Sequence, residues 1–401
     1  MYLKQLILNH FRSYTKASFT LDPKLTIIVG PNAIGKSNLV EAVGLLSTGK
    51  SFRTSKEKQL IQFDQPIARV TGLITSSPSL RATEERGNLS SDEIASSSMT
   101  PRNDESVSRE DASKGVYTDF DTEKIEIVIA ENPNGWLQKR YLINGISKRR
   151  SSLQGKLPVV LFSPEDLDLV SGQPGVKRRF LDEVLEQSDV HYSAAMSTYS
   201  KALKQRNALL EYVQETGRRD RERFAYWDDI LIKHGSYIHD QRAELIDAIN
   251  NVDKELFPFT LTYDYSIISE ERLAQYEQAE IGAGVTLVGP QRDDVQIHTK
   301  HPTSGEMEDV KYFCSRGQQR LITLELKKAQ IYCLNASLGQ QPLLVLDDIF
   351  SELDSGHIKH VLQMTTNYQT IITTTHKEFV DGQLEGKGSV VELSSNKDIE
   401  K

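Results

Sequence analysis

Apolar positions along this chain change their spacing from region to region, and each change predicts a different element. Leu25-Thr26-Ile27-Ile28-Val29 is a short β-rich run. After a glycine-rich turn, Ser37-Asn38-Leu39-Val40-Glu41-Ala42-Val43 places its apolar residues at helical spacing. Ile67-Ala68-Arg69-Val70-Thr71 and Lys124-Ile125-Glu126-Ile127-Val128-Ile129 alternate as strands of one sheet. Between them, residues 76–114 are rich in Ser, Glu, Asp, Asn and Arg. So polar a stretch cannot bury enough surface to offset its ordering entropy, which predicts a disordered insertion in a hairpin.

From residue 176 to 258 the pattern is helical, long and polar. Phe180, Leu181, Val184 and Leu185 form one apolar stripe, continued by Ala202, Leu203, Leu209 and Leu210. Gly217-Arg218-Arg219-Asp220 reads as a hinge, and Ile230, Leu231, Ile238 and Leu245 mark a second, antiparallel helix. The heptad pattern is not sustained, which predicts a short arm and excludes a long coiled coil. Towards the C-terminus, Leu321-Ile322-Thr323-Leu324-Glu325-Leu326-Lys327-Lys328-Ala329 is helix-like. Leu343-Leu344-Val345-Leu346 is an apolar strand ending in Asp347-Asp348, and Thr370-Ile371-Ile372-Thr373-Thr374-Thr375 is a β-branched strand ending in His376. Strands and helices alternate at both ends, so the chain is α/β, with a head built from 1–175 and 259–401 and the arm 176–258 between.

Composition narrows the class. A chain of 401 residues supports two or three lobes, no apolar run approaches a membrane span, and the N-terminus lacks a signal-peptide layout. The two cysteines, Cys314 and Cys333, lack metal-ligand spacing and read as reduced thiols of a cytoplasmic protein. A net charge of −8 argues against a broadly cationic nucleic-acid binder and leaves local patches. Three are candidates: Lys148-Arg149-Arg150, Lys177-Arg178-Arg179, and Arg218-Arg219 with Arg221 and Arg223.

The candidate chemistry is a split nucleotide site. Gly30-Pro31-Asn32-Ala33-Ile34-Gly35-Lys36-Ser37 fits G-x-x-x-x-G-K-[ST], between a predicted strand and a predicted helix. Its amides and the helix N-terminus would cradle the phosphates of ATP, Lys36 would reach the β- and γ-phosphates, and Ser37 would ligate Mg²⁺. The carboxylates of Asp347 and Asp348 are the groups needed to hold that Mg²⁺ and to orient a water. More than 300 residues separate the two segments, so both ends of the chain must meet.

Ser315-Arg316-Gly317-Gln318-Gln319-Arg320 resembles the signature motif of the ABC ATPases, with Arg316 in place of the first glycine, and Ser351-Glu352-Leu353-Asp354 resembles their D-loop. The chain as a whole resembles the RecF family, SMC-like members of the ABC ATPases. The likeness runs through Phe11-Arg12-Ser13-Tyr14, Gly49-Lys50-Ser51-Phe52-Arg53-Thr54, Leu161-Phe162-Ser163-Pro164-Glu165-Asp166-Leu167, Leu203-Lys204-Gln205-Arg206-Asn207 and Gly289-Pro290-Gln291-Arg292-Asp293-Asp294. Gln291 stands where a histidine is more usual, and no Q-loop glutamine is evident.

The resemblance implies an ABC/SMC-type P-loop ATPase head with an inserted helical arm. It implies nucleotide contacts from Arg12 and, in trans across an ATP-dependent homodimer, from Ser315, Gly317 and Gln318. Asp347 would join Ser37 at Mg²⁺, Asp348 would serve hydrolysis, and His376 would sense the γ-phosphate. Aspartate where most ABC proteins carry glutamate suggests slow turnover. The implied role is an ATP-driven clamp on double-stranded DNA near single-strand/double-strand junctions, acting with RecR and RecO to load RecA. A DNA-binding module that uses ATP only for assembly, and an ATPase serving another machine, are the alternatives.

Overall fold

Strands open the chain. β1 (Tyr2–Phe11), β2 (Tyr14–Thr20) and β3 (Leu25–Val29) lead into α1 (Lys36–Thr48), followed by β4 (Ile67–Thr75), β5 (Thr122–Glu131), β6 (Leu137–Ile143), β7 (Ile146–Lys148) and β8 (Val159–Phe162). Helices dominate the middle: α2 (Asp168–Ser171), α3 (Pro174–Ser188), α4 (Val190–Thr216) and α5 (Arg221–Asn251). Then come β9 (Thr260–Asp264), α6 (Glu270–Ala283), β10 (Asp294–Lys300), β11 (Met307–Asp309), α7 (Val310–Phe313) and α8 (Arg316–Leu338). The chain closes with β12 (Leu343–Asp347), α9 (Ser355–Thr365), β13 (Thr370–Thr374), β14 (Ser389–Glu392) and β15 (Asp398–Glu400). This computed structural model describes residues 1–54, 56–75, 122–132, 134–349, 355–375, 388–394 and 398–400.

A parallel sheet in the order β14-β3-β13-β12-β8 joins strands from both ends of the chain. β12 and β13 are buried at every position, as the sequence's continuous apolar and β-branched runs require of a sheet covered on both faces. Side chains alternate between two cores. Ile28, Val345 and Ile371 point towards α1 and the strands of a seven-stranded sheet, joining Leu39, Val43, Leu3 and Leu6. Ile27, Leu346 and Ile372 point the other way, joining Phe180 and Leu181 of α3 and Ile322 and Leu326 of α8. Each such fully buried aliphatic side chain contributes about 1.5–3 kcal/mol relative to exposure.

The seven-stranded sheet has the order β15-β2-β1-β4-β5-β6-β7 and is antiparallel except where β15 runs parallel to β2. β4 and β5 pair from Ile67↔Ala130 to Thr75↔Thr122, so the two strands expected around the polar stretch are direct partners. The stretch 76–114 itself lies outside the described residues. The two sheets are tied by Gln369, whose side chain accepts from Leu3 N at 2.8 Å and donates to Leu3 O at 2.8 Å and Asp22 O at 3.0 Å.

α4 ends at Gly217, in the left-handed region at φ 69°, and Asp220 caps α5 by accepting from Arg223 N at 3.1 Å. Leu209, Leu210, Val213 and Phe224 form a small core of their own there. At the other end of α5, fully buried Asp293 accepts from Arg242, His239, the Tyr263 hydroxyl and Ser266 N. Burial opposes ionisation of Asp293, but those hydrogen bonds, led by His239, outweigh it and hold the carboxyl below its ordinary range. The second motif aspartate, Asp294, pairs with Lys177 of α3 at 3.4 Å. The Gly289–Asp294 motif of the sequence is thus a buried junction of α3, α5, β9 and β10. Among the described residues, no helix is long and apolar enough to cross a membrane.

Candidate nucleotide-binding site

β3 delivers the chain to the carboxyl edge of the parallel sheet, where doubly wound folds place ligands. Gly30 N bonds Thr374 O at 3.2 Å, and the loop turns into α1 through Gly35 at φ 119°. A Cβ on Gly35 would lie 3.0 Å from both Ser13 Oγ and the Tyr14 hydroxyl, so conformation and space both demand glycine. The Tyr14 hydroxyl donates to Gly35 O at 3.1 Å and Asn38 Nδ2 donates to Ser13 Oγ at 2.9 Å, fastening the β1–β2 turn against the loop.

Helix α1 begins without a side-chain cap and with no acidic residue in its first turn. Its N-terminal amides and dipole are therefore left for an anion. Pro31, Asn32 and Ala33 form the exposed rim, Ala33 at φ 63°, with Ile34 and Ser37 half-buried. Lys36 is buried and donates to Gly30 O at 2.7 Å and Pro31 O at 3.0 Å. Burial pulls its ammonium below the ordinary lysine range, against the opposing charges of Asp348 and Asp347.

Those two carboxylates arrive on β12, one strand away from β3 with β13 between them. Asp347, at the strand end, accepts from Thr373 Oγ1 at 2.6 Å. Asp348 turns out of the strand at φ 51°, its amide bonded to Thr373 O at 3.1 Å. Aspartate tolerates this left-handed conformation better than most side chains, at a cost of about 1 kcal/mol. His376 and residues 351–354 lie outside the described residues.

Ser315 opens α8 from an exposed position. Its Oγ accepts from Gln318 N at 3.4 Å while Gln318 Oε1 accepts from Ser315 N at 2.8 Å, a capping box. Gly317 is exposed, and Tyr312 just ahead of the motif is 81% exposed. Among the described residues, no hydrogen bond or ion pair joins 315–319 to the loop at 30–37. The fold of one chain brings the loop and the acidic pair together and leaves the signature facing outward.

Arg12, expected at the nucleotide, directs Nε and Nη2 to Glu41 at 2.8 and 2.7 Å, from a backbone at φ 55°. Glu41 is fully buried on α1, also accepts from Ser51 Oγ at 2.5 Å, and lies 3.8 Å from Arg53. Sequence reasoning missed this carboxylate. Its signal was an acidic residue enclosed by Leu39, Val40, Ala42 and Val43 in an apolar helix. Thr373 and Asn38 were missed too, since nothing local marks them, while Ser13 and Tyr14 entered only as part of the family likeness.

Two of the three basic clusters are partly matched, while Arg179, Arg218, Arg221 and Arg223 stay exposed and make no ion pair among the described residues. Lys177 is paired with Asp294, and Arg178 donates to the Asp293 carbonyl. Arg219 pairs with Glu277 and lies 5.3 Å over the Phe224 ring. In place of a Q-loop glutamine, the 161–167 segment offers Asp166, which accepts from Ser163 N at 2.6 Å and pairs with buried Lys327 of α8 at 2.7 Å. Gln291, where a histidine is usual, accepts from the Tyr199 hydroxyl and donates to Val288 O.

The sequence pattern of the RecF/RecN/SMC N terminal domain matches residues 2–392. The chain is 32% identical over 404 residues to the DNA replication and repair protein RecF of Shouchella clausii (strain KSM-K16), covering 95% of this chain and 94% of that one. The chain belongs to the RecF family. Its fold is accordingly the ABC/SMC-type ATPase head, and two solved RecF structures agree. The recombination mediator RecF–ATPrS in the RecFOR pathway superposes with a TM-score of 0.77 at 27% identity, covering 99% of this chain and 97% of that one. RecF–ATP in the same pathway gives 0.76 at 26% identity, covering 98% and 96%.

Proposed function

We propose that this RecF-family chain binds ATP at 30–37, pairs with a second copy when ATP is bound, and clamps duplex DNA near single-strand/double-strand junctions at gaps. The observation that carries the reading is the convergence of Lys36, Asp347 and Asp348 on one sheet edge, with the signature at Ser315 exposed and making no hydrogen bond or ion pair to the loop among the described residues. In a face-to-face dimer the exposed Ser315 and Gly317 and the half-buried Gln318 would cap the nucleotide held by the partner, offering a hydroxyl, an amide and a helix N-terminus to the γ-phosphate.

Ser37 and Asp347 fit Mg²⁺, a hydroxyl and a carboxylate being the oxygen donors that ion takes beside phosphates. The bound ion would supply charge neutralisation at the β- and γ-phosphates. Lys36 would hold those phosphates, Thr373 keeps Asp347 in place, and Asp348 would orient the attacking water and take its proton, yielding ADP and phosphate. His376 would sense the γ-phosphate. Aspartate at 348 favours slow turnover, suited to a clamp that opens on hydrolysis. The names of the solved relatives, recombination mediators in the RecFOR pathway, support a role with RecR and RecO, which the reading extends to RecA loading in the cytoplasm.

The test is the solution mass of Asp348→Asn by light scattering with and without Mg²⁺-ATP. A shift from monomer to dimer on adding nucleotide is expected. A monomer at saturating ATP would remove the trans-capped site.

A further inference from the structure

In a chain where 56 of 401 residues are acidic, residues 137–156 contain no Asp or Glu, yet carry Lys139, Arg140, Lys148, Arg149, Arg150 and Lys156. A second acid-free run, 190–210, includes Lys201 and Lys204. The fold brings the two together. Arg150 donates from Nη2 to Ser193 Oγ at 2.9 Å, setting the end of β7 against the first turns of α4.

Charges within these runs divide sharply. Lys139 is matched by Glu57, Lys156 by Glu123 and Arg150 by Glu186. Lys148, Arg149, Lys201 and Lys204 are exposed and make no ion pair among the described residues. β7 is the terminal strand of the seven-stranded sheet and is exposed throughout. Lys148 pairs with Tyr141, so it shares a face with the ring that packs beside Gly49 and Arg150. Along α4, Lys204 follows Ser193 by three turns on the same face, about 16 Å along the axis, with Lys201 one step round. The span exceeds the roughly 12 Å width of a B-DNA major groove, enough to reach phosphates on both sides.

We infer that the free edge at Lys148 and Arg149, continued by Lys201 and Lys204 on α4, is a contact surface for the phosphate backbone of duplex DNA. This rests on the DNA-clamp reading and gives it a location. Phosphate contacts of this kind fix register without reading sequence. The competing explanation is that Lys148 and Arg149 only protect a sheet edge from pairing with another chain. It assigns no purpose to Lys201 and Lys204, which lie on a helix.

Full-length protein with Mg²⁺-ATP is titrated onto a labelled gapped duplex across a range of salt concentrations. Substituting Lys148→Ala, Arg149→Ala, Lys201→Ala and Lys204→Ala together is expected to weaken binding on the order of 100-fold at low salt. The slope of log affinity against log salt should shrink by about 3–4. ATP affinity should be unchanged, which also reports that the variant is folded. The milder pair Lys201→Ala and Lys204→Ala, confined to an exposed helix face, should reduce the slope by about 2. Arg218→Ala, Arg221→Ala and Arg223→Ala at the arm tip should leave it unchanged. An unaltered slope in the quadruple variant, with or without new aggregation, overturns the proposal and leaves the clamp reading standing. Equal loss from the arm-tip variant does the same. Absence of DNA binding in the unmodified protein defeats the clamp reading itself.

Discussion

The N-termini of α1 and α8 are the two helix ends that the proposed site would use, and they are finished in opposite ways. α1 starts at a glycine without a side-chain cap, enclosed by Ser13 and Tyr14 and backed by the pair of half-buried Arg12 with buried Glu41. α8 starts at an exposed serine that closes a capping box with Gln318. The first end is half of a pocket whose other half, Asp347 and Asp348, the same chain supplies. The second is stable by itself and displays its donors outward. One helix end is therefore completed by folding, while on the proposed reading the other waits for a second copy.

The largest expected effect comes from blocking the enclosed end. Gly35→Ala forces a Cβ against Ser13 and Tyr14 in a backbone region that alanine avoids, so ATP affinity should fall by at least two orders of magnitude in a calorimetric titration. Unchanged affinity would mean the loop is not held by the β1–β2 turn. Ser315→Arg should abolish nucleotide-dependent dimerisation while ATP binding stays within about twofold, since folding of the α1 site never uses Ser315. Persistence of the dimer by light scattering would erase the distinction between the two ends.

Glu41→Gln removes a buried charge from beneath Arg12 and should lower unfolding free energy by about 3–5 kcal/mol in denaturant melts. A loss under about 1 kcal/mol would show that the pair does not support the loop. The smallest effect concerns the buried flank of α8. Burial raises the Glu183 carboxyl to about 7, opposed by the charge of Lys327 on α8. Between its ordinary range and that value the folded chain holds a proton that the unfolded chain has released, so stability falls as pH rises through this window and levels off above it. Glu183→Gln should flatten that decline and gain about 1–3 kcal/mol at pH 8, read from melts at several pH values. An unchanged profile would mean that Glu183 is ordinarily ionised.

Much of this was legible from local pattern. The loop at 30–37 and the β12 carboxylates were readable because strand, glycine turn and helix recur within a few residues. The arm hinge was readable because Gly217 and Asp220 are punctuation that only a helix end needs. What escaped depends on partners far along the chain. Arg12 carries no mark of its preference for Glu41, 29 residues on, and nothing near Asp347 announces Thr373. The cluster at 177–179 looked like a surface patch because the partners of Lys177 and Arg178, the Asp294 carboxylate and the Asp293 carbonyl, lie more than a hundred residues away. Charge runs reveal sign locally, but compensation is decided by topology.

The order of the parallel sheet also dictates when the nucleotide site can exist. β3 has two neighbours, β13 and β14, both from beyond residue 369. At roughly 5–20 residues per second of synthesis, β3 and its loop wait about 20–70 s before either neighbour is made. During that interval Ile27, Ile28 and Val29 cannot occupy their final places, and closing a contact so distant in sequence is slow. The apolar strand that aims the phosphate loop is thus among the earliest segments made and among the last secured. ATP recognition becomes available only once the C-terminal strands have paired around it.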